Sequence, residues 1–119
     1  LWGGAGNNTY LFGRGDGRDF LGNSPNDTSA GKLNVLQLGA DITAAQLTLR
    51  RAFDPGTARW TALEVGIVGT DDRLTVSHFF HQDNIRNGLN PLQQIRFADG
   101  TTWDLDRIAV EVDRALGMD

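Results

Sequence analysis

The chain has 119 residues, 39% of them hydrophobic, and a net charge of −4 at pH 7, which suits one domain with a core of its own. The acidic balance argues against nucleic-acid binding, which calls for a basic face, and no apolar run approaches the roughly 18 residues that span a bilayer. With no cysteine, disulfide frameworks, thiolate metal sites and cysteine nucleophiles are excluded.

The sequence opens at Leu1 with no charged-then-apolar leader, so a processed product or an excised fragment is expected. Glycine is abundant, at 15 residues. Glu64 and Glu111 are the only glutamates and Lys32 the only lysine, so the charge is carried almost entirely by Asp and Arg. Asp, Asn and Gly favour tight turns, which points to an all-β protein.

In chain order, residues 1 to about 31 form a glycine-rich segment distinct from the remainder. Asn34 to Leu38 reads as a short strand ending at Gly39, and Thr43-Ala44-Ala45-Gln46 has the spacing of a capping box. Leu47 to Arg50 alternates as a half-buried strand, and Asp54-Pro55-Gly56 is a turn. Trp60 to Val68 puts Leu63, Val65 and Ile67 on one face. Gly69-Thr70-Asp71-Asp72 then turns into a strand from Leu74 to Phe80, which completes a hairpin. His81 to Asn90 is looser, and Pro91 closes it. Asp99-Gly100 between Ile95-Arg96-Phe97 and Thr101-Thr102-Trp103 predicts a type I′ hairpin. Leu105, Ile108, Ala109, Val112 and Leu116 recur at helical spacing, predicting a helix over about 104–117 with Trp103 packed against it.

The glycine-rich segment carries the chemistry. Gly3 to Leu11 follows Gly-Gly-x-Gly-x-Asp-x-apolar-x, with Asn8 in place of Asp. A second unit keeps Gly15, Gly17, Asp19 and Leu21, with Arg14 at its first glycine. Glycines let the backbone curl through positive φ, so carbonyl oxygens can converge beside a carboxylate, an oxygen-only set suited to calcium. The candidate ligands are Gly4, Gly6, Asn8, Gly15, Asp16, Gly17 and Asp19, foremost Asp16 and Asp19.

These units resemble haemolysin-type calcium-binding (RTX) repeats of secreted bacterial proteins. Asn34 to Ile42, Gly69 to Val76, Phe79-Phe80 and Ile95 to Asp104 are similar to the haemolysin-type calcium-binding-related domain that follows such repeats. The resemblance implies terminal repeats at 1–31 and a capping domain at 32–119. It also implies calcium as cofactor, upstream repeats of the same chain and the type I secretion machinery as partners, and an extracellular location. The fold expected is a short β-roll-like half-coil, then about six strands as a sandwich or flattened roll, then one helix. The function expected is binding and structural, as the non-catalytic C-terminal flank of a toxin, adhesin or exoenzyme. The alternative is a surface module for carbohydrate, with Trp2, Trp60 and Trp103 as stacking residues.

Plainer readings compete at several positions. Asp71 and Asp72 are expected to serve turn geometry. On a strand, His78 and His81 would point to opposite faces, leaving His78 a boundary residue. Ser24, Ser29 and Ser77 lack the context of a nucleophile elbow. Trp2, Trp60 and Trp103 are expected to be buried.

Overall fold

The computed structural model describes residues 8–13, 15, 17–22, 33–55, 58–81, 84–85 and 90–117, excepting the side chains of 115–117. In chain order they form β1 (Thr9–Phe12), β2 (Arg18–Leu21), β3 (Val35–Leu38), a 3₁₀ turn (Ala44–Gln46), β4 (Leu47–Asp54), β5 (Arg59–Ile67), β6 (Arg73–Val76), β7 (Gln94–Arg96), β8 (Thr102–Trp103) and α1 (Leu105–Gly117). The expected all-β architecture with one C-terminal helix is therefore present.

The strands make two four-stranded sheets, ordered β1-β3-β7-β8 and β2-β6-β5-β4. β1 with β3, β3 with β7, and β2 with β6 are parallel pairs. The β4–β5, β5–β6 and β7–β8 pairs are antiparallel. The chain thus steps from one sheet to the other and back: β1, β2, β3, then β6 and β7, with β4–β5 inserted at the far edge of the second sheet. Parallel neighbours need such crossovers, whereas the antiparallel pairs are closed by short turns.

Register turns this topology into a core. In the first sheet Tyr10, Leu36, Ile95 and Trp103 lie in one cross-strand row. In the second, Leu21, Val76 and Leu63 form one row, and Leu74, Val65 and Leu49 another. All ten side chains are buried in one cluster, joined by Phe12, Phe79 and Phe97. Each fully buried side chain of this size contributes about 1.5–3 kcal/mol of hydrophobic stabilisation.

The expected capping box is formed, with the Thr43 N–H donating to Gln46 Oε1 at 3.1 Å. The helix begins where Asp104 Oδ1 accepts the Arg107 N–H at 2.9 Å, which satisfies one of its orphan donors. It packs on β4 and β8, burying Ile108 and Val112 beside Trp103. Phe97 meets the Trp103 ring edge-on at 4.9 Å, and the Arg107 guanidinium lies over it at 5.1 Å. Trp103 is thus placed as expected.

Three expectations are corrected. The β7–β8 loop is not type I′: Gly100 has φ 94°, whereas Asp99 is not in the positive region. Phe97 and Thr101 frame a three-residue loop instead, with the Phe97 N–H donating to Thr101 O at 2.8 Å. One left-handed residue suffices there, and glycine supplies it. The strand expected from Leu74 to Phe80 ends at Val76, because His78 takes φ 62° and turns the chain. Trp60 is 65% exposed rather than buried. Near the bulge between Ala52 and Asp54 it meets Phe53 edge-on, at 5.9 Å. Trp2 lies outside the described residues.

Candidate calcium-associated turns

The expected ligands divide into those the structure describes and those it does not. Gly4, Gly6 and Asp16 lie outside the described residues. Asn8, Gly15, Gly17 and Asp19 lie at the starts of β1 and β2, the strands that end the two sheet orders.

Gly15 and Gly17 take φ 87° and 77°, as the repeat reading requires. Their amides converge on one carboxylate. The Gly15 N–H donates to Asp72 Oδ2 at 2.9 Å and the Gly17 N–H to Asp72 Oδ1 at 2.8 Å. Asp72 is buried, and the Gly17 carbonyl accepts the Arg73 N–H at 2.9 Å. A second turn is therefore stacked on Gly69–Asp72, contrary to the reading of a lone hairpin turn. Asp71 is exposed, whereas Asp72 holds two backbone donors in charge-assisted bonds. No local pattern of residues marks this role. The parallel pairing of Arg18 with Arg73 is what brings residues so far apart into register.

Asp19 pairs with Leu74, in the row that continues to Val65 and Leu49. It is half-buried at the edge end of that row. Its carboxylate thus stands at the border of the core beside the open edge of β2.

Asn8 belongs to a second junction. Its N–H donates to Asn34 Oδ1 at 2.8 Å, and its carbonyl accepts the Val35 N–H at 2.9 Å. The Asn34 N–H in turn donates to Gln93 Oε1 at 2.8 Å. Amide side chains therefore link the entries of β1, β3 and β7.

A buried polar cluster lies at the other end of β6. The Asp54 carboxylate accepts the Ser77 hydroxyl at 2.9 Å and the His78 N–H at 2.9 Å. Ser77 Oγ lies 2.8 Å from His78 Nδ1. A carboxylate only accepts, so the Ser77 proton points to Asp54 and its oxygen accepts the His78 Nδ1–H. A catalytic triad needs the serine proton on histidine and the carboxylate on the far ring nitrogen. The order here is inverted, so this cluster positions the backbone rather than activating a nucleophile. The expectation for His78 and His81 is corrected: their ring centroids lie 5.4 Å apart, because the turn replaces the strand that would have separated them.

Residues 63–107 match the haemolysin-type calcium binding protein related domain. The match runs from within β5 into the first turn of α1 and includes Asp72, so the clamp on the glycine turn belongs to the recognised segment. The haemolysin-type resemblance is borne out there, and the match supports a calcium-binding-related module. No curated protein matches the chain. Among the described residues no group of three or more His, Asp or Glu is placed to hold a metal ion. No described helix is long and apolar enough to cross a membrane.

Proposed function

We propose that this chain is a non-catalytic calcium-binding and capping module at the C-terminal flank of an RTX-type secreted protein. One observation carries the reading. β1 and β2 each follow a glycine-rich stretch of sequence, each ends the order of a different sheet, and each runs parallel to the next strand inward. Upstream glycine-rich turns would add strands to these two edges in the same parallel sense, which covers edges otherwise open to wrong partners. Calcium would then sit between an upstream turn and this one. Asp16 and Asp19 supply charge, Gly4, Gly6, Gly15 and Gly17 supply carbonyls, and Asn8 supplies a neutral oxygen. Folding would follow export through a type I channel into a calcium-rich exterior.

The test is to place this chain behind about five glycine–aspartate nonapeptides, enough for a stable array. Calcium-induced folding is followed by circular dichroism. Capping predicts a lower calcium midpoint than for the nonapeptides alone, raised more by Asp19→Ala than by Asp71→Ala. Equal midpoints with and without the module reject the reading.

A second reading, recognition of carbohydrate, is favoured by the exposed Phe53–Trp60 pair. Sugar rings stack on such faces. Retention on immobilised glycans that Trp60→Ala abolishes would support it.

A further inference from the structure

The turn after β6 holds two imidazoles in a geometry that the calcium reading does not use. We propose that His78 and His81 form an open two-histidine site for a divalent transition ion of the Zn²⁺ type. Their ring centroids are 5.4 Å apart and their planes tilted by 57°. Two imidazoles on one tetrahedral zinc, with bonds of about 2.0–2.1 Å, place their centroids about 5.2 Å apart. The observed spacing therefore needs little adjustment.

The His78 ring is also set up as a ligand. Its Nδ1–H is directed to Ser77 Oγ at 2.8 Å, and Ser77 is anchored on the Asp54 carboxylate at 2.9 Å. That fixes the tautomer in which Nε2 carries the lone pair. Metal-binding histidines are oriented in this way, through the other ring nitrogen and ultimately a carboxylate. The backbone is held as well. His78 stands at φ 62°, its N–H donates to Asp54 Oδ2 at 2.9 Å, and its carbonyl accepts the His81 N–H at 3.1 Å. A left-handed histidine kept in place by a buried carboxylate is the kind of local strain that collects at functional positions.

Imidazole selects zinc, copper or nickel, whereas calcium takes hard oxygen ligands, so this site and the glycine turns answer to different ions. With two protein ligands, the remaining coordination positions fall to water, which makes the site open and its affinity moderate.

The experiment titrates Zn²⁺ into the whole chain in buffer containing calcium, read by imidazole nitrogen NMR and by calorimetry. Both imidazoles shift together, with a Kd in the micromolar range. His81→Gln weakens binding at least about tenfold, as does His78→Asn, chosen because Asn tolerates the left-handed region. Circular dichroism of His81→Gln stays as in the parent, so the loss is not one of folding. Binding that is unchanged in His81→Gln, shifts confined to one ring, or no zinc binding below millimolar concentration would overturn the proposal.

Discussion

The two N-terminal strands enter their sheets through different chemistry. At β1 the junction is neutral: Asn34 Oδ1 receives the Asn8 N–H, and Gln93 Oε1 receives the Asn34 N–H. At β2 it is charged: one carboxylate, Asp72, receives the amides of Gly15 and Gly17. Both satisfy backbone donors that a sheet edge would leave to solvent. Only the second concentrates negative charge where the repeat motif calls for a cation. A glycine turn can thus be closed by a carboxylate drawn from far along the chain, its backbone N–H groups bonded directly to that carboxylate.

Both junctions rest on a shared core, and breaking that core should unseat them together. Trp103→Ala removes the end of the Tyr10–Leu36–Ile95 row and the packing of Ile108 and Val112. A loss of about 3–5 kcal/mol is expected in urea unfolding. Asp72→Ala tests the charged junction alone. Two donors lose a charged acceptor, so about 2–3 kcal/mol should go, with Asp72→Asn recovering part of it. Asn34→Ala tests the neutral junction and should cost about 1–2 kcal/mol, since its bonds are uncharged though the residue is buried. If Asn34→Ala proves the costlier of the two, the charge at β2 is not what secures it.

Calcium sharpens the contrast. The Asp72 oxygens and the Gly17 carbonyl already accept backbone N–H groups in this chain. Melting in EDTA and in millimolar calcium should then agree, because an ion whose Kd is no better than its concentration adds at most about 0.4 kcal/mol. A large upward shift would mean that the β2 junction opens to take the ion. The smallest effect belongs to a turn remote from both junctions. The backbone N–H of Thr101 holds the Asp99 carboxyl below its ordinary value of 3.8. A depressed folded value means the stabilisation is full above pH 3.8 and is lost as pH falls further, through the folded value. Asp99→Asn should flatten that part of the acid-unfolding curve, with a correspondingly small loss of stability at neutral pH that disappears as pH falls below the folded value.

Much of this arrangement was legible from the residues. Helical spacing placed Ile108 and Val112 on the buried face of α1, and alternation placed Leu63, Val65 and Ile67 in the core. The glycine units predicted positive φ at Gly15 and Gly17. What could not be read is whatever depends on parallel pairing, because its partners are distant in sequence and no local pattern announces them. Asp72 looked like any turn aspartate until β2 was laid beside β6. His78 and His81 were misassigned for a related reason. Alternation assumes that a strand continues, and the Asp54 bond to the His78 amide ends it. Trp60 departs from expectation because a ring at a bulge lies outside the rows that bury its neighbours.

The Asp72 clamp also orders events in time. It joins residues 57 and 55 positions apart, and among the described residues both β1 and β2 pair with strands that come later in the chain. A chain emerging from its N-terminus therefore presents β1 and β2 before their partners and cannot seat them until β3 and β6 have followed. The β4–β5 and β5–β6 ribbons close through short turns and can form early, whereas docking β2 must close a loop of more than fifty residues. β1 and β2 are thus among the last strands of this domain to settle, since each waits on a partner that follows it in sequence.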